Sequence, residues 1–255
     1  MTFTVTVSAI SPTPSPTFTD IHALIFDKDG TLENSKVYLE KLTIERLRLL
    51  ENSTPGIRSP LTQAFGFDGQ HLNPTGLMAV GSRQENLIAA AAYLAERGHS
   101  WFEALSLSHH CFDQADRQVV PNAHTCPMFP GVGVALETWS HQGLKIAILS
   151  AARQWSVERF IADHQLGGWI DVAMGSDQGL SKPDPALYRL ACTRLGVDPH
   201  QTVMIGDAQG DITMAKRAGA KGAIAIGWPG YQSPTLKDAD ATIQDINQLQ
   251  VSQHR

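Results

Sequence analysis

The chain has 255 residues, 42% apolar and 18% charged, with 21 Gly and 14 Pro, a globular composition that excludes wholesale disorder and collagen-like repeats. Its 20 basic and 25 acidic side chains leave a net charge of −5, which argues against binding to nucleic-acid phosphates. No apolar run approaches the roughly 18 residues of a membrane span, and the 3 widely spaced cysteines, Cys111, Cys126 and Cys192, exclude a disulfide scaffold or a cysteine zinc site and fit a reducing, cytoplasmic setting.

In chain order, residues 1–19 carry no charged side chain, so they lack the basic start of a secretory signal. Thr2, Thr4 and Thr6 alternate with Phe3, Val5 and Val7, a strand period. Pro12, Pro14 and Pro16 follow, and the segment is expected to be an extended or disordered arm. A second reading makes it an edge strand docked on its own sheet or on another subunit. Ile21–Phe26 is a short apolar run that ends at Asp27 and reads as a buried strand. Asn34–Glu51 reads as a helix with an apolar stripe through Leu39, Leu42, Leu47 and Leu50. Ser82 with Glu85, and Ser100 with Glu103, have the spacing of capping boxes that open two more helices. The segment 33–128 is therefore expected to be a helical insert. Tyr93, Trp101 and Phe102 are expected in its core, and His109, His110 and Cys111 on an exposed helical patch.

Beyond Pro130 strands alternate with helices. Strands are expected at Leu144–Leu149, Ile170–Met174, Thr202–Ile205, Gly222–Ile226 and, last, Ala241–Ile243. Helices are expected at Trp155–His164, after the Asp184-Pro185 cap and first-turn proline, and at Ile212–Ala218. That rhythm implies a parallel sheet covered on both faces. Residues 20–32 and 129–255 would form one α/β core, interrupted after its first strand.

In such sheets ligands bind beyond the carboxyl ends of the strands. Asp27-Lys28-Asp29-Gly30-Thr31 follows the first core strand, Ser150-Ala151-Ala152-Arg153 the second, Lys182-Pro183 lies after the third, and Gly206-Asp207 with Asp211 after the fourth. Carboxylates crowded together repel one another. A hard divalent cation, Mg²⁺ above all, resolves the conflict. Carboxylates, a cation, an ammonium and a hydroxyl suit phosphoryl transfer, with a carboxylate attacking phosphorus.

As a set, LIFDKDGT, IAILS, SKPDP and VMIGDAQGD resemble the motifs of the haloacid dehalogenase superfamily, specifically its phosphatases with a helical cap inserted after the first strand. The resemblance implies a Rossmann-like, doubly wound core with an α-helical cap, and Mg²⁺-dependent hydrolysis of a small phosphorylated metabolite through an aspartyl-phosphate. It implies Asp27 as nucleophile and Asp29 as general acid and then base. Mg²⁺ would be held by the Asp27 carboxylate, the Asp29 carbonyl and Asp207, with Asp211 bound directly or through water. Ser150, Ala151 and the Gly30 amide would bind phosphoryl oxygens, with Lys182 as counter-charge. Arg83 and Asn34 are the candidate substrate-selecting residues, and phosphoglycolate is the default substrate of such a cap.

Several departures bear on the chemistry. Ala151 stands where Asn is common, and Asn34-Ser35 replaces Asp-Ser. Dehalogenases lack the second aspartate supplied here by Asp29. Phosphonatases use a cap lysine, and Lys36 and Lys41, the lysines of the insert, read as solvated surface charges. Gly81-Ser82-Arg83 and Ser150–Arg153 are similar to segments of beta-phosphoglucomutases. That mutase also needs a cap histidine where Leu39 stands, and Glu-Asp where this chain has Gly206-Asp207, which favours a phosphatase. An inactive relative kept as a binding module is the remaining alternative, opposed by intact Asp27, Asp29, Lys182 and Asp207.

Overall fold

The computed structural model describes residues 2–9, 16–176, 179–229 and 236–254. Within these the chain forms two compact units, one built from Met1–Asn34 and Pro127–Arg255, the other from Ser35–Cys126.

The first unit opens with β1 (Thr2–Val7), β2 (Thr17–Ile21) and β3 (Ala23–Phe26). Later come α6 (Val132–His141), β4 (Lys145–Leu149), α7 (Gln154–Asp163), β5 (Val172–Met174), α8 (Pro185–Leu195), β6 (Thr202–Gly206), α9 (Gln209–Ala218), β7 (Gly222–Ile226), β8 (Ala241–Ile243) and β9 (Leu249–His254). Six strands form a parallel sheet in the order β5-β4-β3-β6-β7-β8. The chain winds outward in both directions from β3, so the order reverses beside it. That reversal leaves a crevice at the carboxyl ends of β3, β4 and β6.

Period-two alternation sorts this sheet into two faces. Leu24, Phe26, Ile146, Ile148, Val203 and Ile205 pack with α6 and α7 through Leu136, Trp139, Val157 and Phe160. Ala23, Ile25, Ala147, Leu149 and Met204 pack with α8 and α9 through Leu187, Tyr188, Ile212 and Met214. Both faces are apolar because both are covered, which is why these strands read as continuous apolar runs. The parallel register sets Phe26 beside both Ile148 and Ile205. Asp27, Ser150 and Asp207 thus leave neighbouring strands at nearly one level.

The expected N-terminal arm is corrected over its described part. β1 is the middle strand of an antiparallel sheet ordered β2-β1-β9, and Phe3, Val5 and Val7 are buried in the first core face. The alternation of Thr with Phe and Val gives β1 one apolar side, whose burial outweighs the freedom of a tail; Pro12 and Pro14 lie outside the described residues. The C-terminal β9 was not expected either. Its outer residues are polar and its only deeply buried side chain is Leu249, so its pairing partner, not its own apolar content, makes it a strand.

The second unit holds α1 (Lys36–Ser53), α2 (Arg58–Ala64), α3 (Leu77–Val80), α4 (Arg83–Glu96) and α5 (Trp101–Gln118). Its core includes Leu42, Leu47, Leu50, Phe65, Leu87, Leu94 and Phe112. The α4 box forms as spaced: the Glu85 amide donates to Ser82 Oγ at 3.2 Å and the Ser82 amide to Glu85 Oε2 at 2.7 Å. Such a cap contributes about 1 kcal/mol. Two expectations fail here. Trp101 and Phe102 are 45% and 83% exposed: they occupy the first turn of α5, whose buried face starts at Ala104. Cys111 turns inward and is buried, whereas His109 and His110 are exposed.

Candidate active site

Asp27 follows β3 directly and is almost wholly buried. Its amide donates to the Ile205 carbonyl at 2.9 Å, which extends the β3–β6 pairing by one residue and aims the side chain past the sheet edge. Lys182 sits between β5 and α8 and forms a cis peptide with Pro183. Its ammonium donates to Asp27 Oδ1 and lies 2.6 Å from Asp211 Oδ1. Asp211 is in the first turn of α9 and fully buried. The Ala208 amide donates to its Oδ2 at 3.1 Å. Asp207 leaves β6 beside them, approached by the Thr31 hydroxyl at 3.5 Å.

One oxygen each from Asp27, Asp207 and Asp211 lie within 4.8 Å of one another. Three carboxylates, those of Asp27 and Asp211 buried and that of Asp207 half-buried, share one ammonium here. Burial, opposed by Lys182 and reinforced by Asp211 and Asp29, pushes the Asp27 carboxyl up to about 7. Burial with the charges of Asp27 and Asp211 raises Asp207 well above the usual carboxylate range. Burial works against the Lys182 ammonium, but Asp211 and Asp27 more than offset it and hold that group above its ordinary range.

A divalent cation fits this arrangement. Asp211 Oδ1 is buried with no hydrogen bond of its own; the nearby Lys182 ammonium is a charge contact, not an aligned donor. Two glycines make room for the carboxylates. At Gly30, with φ +78°, a Cβ would stand 2.0 Å from Asp207 Oδ2, and at Gly206 one would stand 2.4 Å from Asp211 Oδ2. Hard oxygen ligands converging without enough counter-charge are the donor set that Mg²⁺ takes.

Asp29 is 23% exposed at its side chain. Lys28 Nζ donates to its Oδ1 at 2.8 Å and the Ser150 hydroxyl to its Oδ2 at 3.4 Å. Ser150 Oγ in turn accepts from the Ala152 amide at 3.0 Å, which fixes the hydroxyl at the end of β4 next to Ala151. The Gly30 amide does not stand open for a phosphoryl oxygen: it donates to the Glu33 carbonyl at 2.9 Å. The turn needs that bond, so what Gly30 contributes is the absence of a side chain.

Asp27, Asp29, Ser150, Lys182, Asp207 and Asp211 are thus brought together at one end of the sheet. Asn34 is placed elsewhere in the first unit, where its amide donates to the Pro127 carbonyl at 2.8 Å. Arg83, in the second unit, is held by Asp113 at 2.7 Å and Asp116 at 2.8 Å. Three residues of the site escaped the sequence reading. Thr31 steadies Asp207. Lys28 and Glu33 form a buried ion pair beside Asp29. Burial, only partly offset by Lys28, pushes the Glu33 carboxyl up to about 8. A lysine at the end of a buried strand, five residues before a glutamate, is the one signal that could have marked the pair.

Residues 21–219 match the family described as haloacid dehalogenase-like hydrolase. The chain is 28% identical over 230 residues to "Probable phosphatase IndB" of Dickeya dadantii, covering 86% of this chain and 87% of that protein. It is 28% identical over 232 residues to pyrophosphatase PpaX of Bacillus velezensis, covering 90% and 94% respectively. The solved structure of a haloacid dehalogenase-like hydrolase from Bacteroides fragilis matches with a TM-score of 0.65 at 19% identity, over 89% of this chain and 99% of that one. At that identity the likeness concerns the fold.

Proposed function

The chain belongs to the haloacid dehalogenase-like hydrolases, and from that premise we propose that it is a Mg²⁺-dependent phosphatase of small phosphorylated metabolites, working through an aspartyl-phosphate on Asp27. The observation that carries the reading is the grouping of Asp27, Asp207 and Asp211 around one ammonium at the carboxyl end of the sheet. The similarity to proteins named phosphatase and pyrophosphatase supports it.

Asp27, the Asp29 carbonyl, Asp207 and Asp211 would hold the cation, which supplies Lewis-acid charge to phosphoryl oxygens and frees Asp27 to ionise. Lys182 then turns from counter-ion of Asp27 to donor for the phosphoryl group. Ser150 Oγ and the Ala151 amide fix that group in line with Asp27. The Asp27 carboxylate attacks phosphorus as the bond to the leaving oxygen breaks, and Asp29 gives that oxygen a proton. Asp29, now ionised, takes a proton from water as the water oxygen attacks phosphorus. The bond to Asp27 then breaks, releasing inorganic phosphate.

No helix among the described residues is long and apolar enough to cross a membrane, and we place the reaction in the cytoplasm, where small phosphate esters are made. The test is phosphate release from p-nitrophenyl phosphate with Mg²⁺, then from a panel of phosphoglycolate, pyrophosphate, sugar phosphates and nucleoside monophosphates. Release that stops in chelator and returns with Mg²⁺ supports the proposal. Release that persists in excess chelator overturns it. Conversion of a sugar 1-phosphate to the 6-phosphate without net release of phosphate would establish the mutase alternative.

A further inference from the structure

Lys28 lies between the two aspartates of the first motif, yet its side chain is one of the most deeply buried in the molecule, 2% exposed. Its ammonium donates to Asp29 Oδ1 at 2.8 Å and to Glu33 Oε1. The ring of Phe160, on α7, lies 5.8 Å away. Glu33 is itself 3% exposed, and its backbone bridges both Asp29 and Met128. The backbone holds the same geometry. The amides of Thr31, Leu32 and Glu33 donate to the Lys28 carbonyl at 3.3, 2.9 and 3.0 Å. The loop after Asp27 is therefore a closed cage with a lysine at its centre.

Filling that space does not call for a charge. A buried ammonium is costly unless it is paired, and an apolar side chain of similar volume would pack there more cheaply. Glu33 accepts one hydrogen bond from Lys28 and fixes the ammonium in place, which leaves its remaining donor capacity for Asp29. An ammonium offers protons and accepts none. Oδ1 accepts from it at 2.8 Å, whereas the Ser150 hydroxyl, 3.4 Å from Oδ2, can accept as well as donate and so leaves that oxygen able to exchange a proton.

We propose that Lys28, held in place by Glu33, is the positioning residue for Asp29: it holds Oδ1, and so turns Oδ2 toward the leaving oxygen and then toward the attacking water. The inference rests on the phosphatase reading above and deepens it. In the first step the proton on Asp29 Oδ2 passes to the leaving oxygen as its bond to phosphorus breaks and the Asp27 oxygen bonds to phosphorus. In the second, Oδ2 takes a proton from the attacking water, and Asp27 leaves as a carboxylate. Lys28 donates to Oδ1 throughout and exchanges no proton.

Leaving groups of different basicity test this. p-Nitrophenolate departs without a proton, whereas an alkoxide, as from glycerol phosphate, does not. Correct general-acid placement is worth about 10²–10⁴-fold. For Lys28→Met, kcat/KM on glycerol phosphate should fall by about 10²-fold or more while kcat/KM on nitrophenyl phosphate stays within about threefold. On nitrophenyl phosphate kcat and KM should fall together, because the later attack of water still needs Asp29 as base. Lys28→Arg should recover part of the loss on glycerol phosphate. Glu33→Gln should show the same selectivity more weakly, and it carries the test if Lys28→Met does not fold. Equal losses of kcat/KM on both substrates, or no loss on glycerol phosphate, would overturn the positioning role while leaving the phosphatase reading intact. Wild-type protein that hydrolyses neither ester overturns both.

Discussion

Both units bury charges, and they treat them in opposite ways. In the second unit Arg46 and Arg83 face Asp113 and Asp116. Arg46 Nη2 lies 3.1 Å from Asp116 Oδ1, Arg83 reaches Asp116 Oδ2 at 2.8 Å and Asp113 at 2.7 Å, and both guanidinium groups lie against the ring of Phe112. Cations and anions balance, as expected of a knot tying α1, α4 and α5 together. At the sheet edge of the first unit, Asp27, Asp207 and Asp211 share Lys182 alone among the described residues, and a buried oxygen of Asp211 is left without a hydrogen bond. A balanced buried cluster can be explained by the fold. A cluster with surplus charge of one sign needs something the protein does not itself supply, here a cation and then a phosphoryl group.

The contrast can be tested from either side. The largest effect should come from Asp27→Asn, which removes the nucleophile from the surplus cluster. Turnover should fall by about 10⁴-fold or more, with no loss in melting temperature, since an amide relieves the crowding of carboxylates. Residual activity near wild type in a clean preparation would exclude Asp27 from the role. Gly30→Ala should follow. Its methyl group would displace Asp207, so Mg²⁺ affinity should drop and activity fall by about 10²-fold, recovering in part at high Mg²⁺. Unchanged Mg²⁺ affinity would show that Asp207 is not a ligand.

In the balanced cluster the signature is reversed. Arg46→Met should cost about 3 kcal/mol of stability, the usual penalty for removing one partner of a buried pair. The kcat should stay within about threefold of wild type. Arg83→Ala should cost about 1 kcal/mol, because Arg46 still serves Asp116. A tenfold rise in KM for one substrate alone would instead assign Arg83 to substrate binding. The remaining signature is the acid–base behaviour of the metal-free fold. Asp27 and Glu33 hold their protons to about 7 and about 8, against 3.8 and 4.5 for ordinary carboxyls. The folded state therefore binds more protons than the unfolded one between about pH 4 and 8, so stability falls as pH rises through that window. The melting temperature without metal should drop by on the order of ten degrees from about pH 5 to 8. Mg²⁺ should reduce that drop by binding the ionised cluster. A melting temperature that rises over the same range would contradict the assignment.

Much of this was readable from the residues. The alternation of apolar strands with helices gave the parallel sheet, and each motif after a strand fell at the same sheet edge, because parallel register is short-range and repetitive. What stayed hidden depends on partners distant in sequence. β9 has little apolar content and exists because β1 offers it a ladder. Trp101 and Phe102 read as core by composition, but the buried face of α5 starts only at Ala104. α6 follows directly on Gly131 and contains Gly133, so its apolar spacing did not stand out as helical. Lys28 and Glu33 look like surface charges until the loop closes on itself, since only the folded turn brings the ammonium back to both carboxylates.

The phosphoenzyme is the direct test of the chemistry assigned to the surplus cluster. An Asp29→Asn variant should slow the attack of water more than the attack of Asp27 on p-nitrophenyl phosphate. Acid-quenched in the presence of Mg²⁺, it should carry one phosphoryl group, located by peptide mass on Asp27 and released by hydroxylamine. The same treatment of a doubly substituted Asp27→Asn, Asp29→Asn protein should leave no adduct. A phosphoryl group found on another residue, or wild-type turnover that proceeds with the Asp27 peptide never modified, would contradict the account.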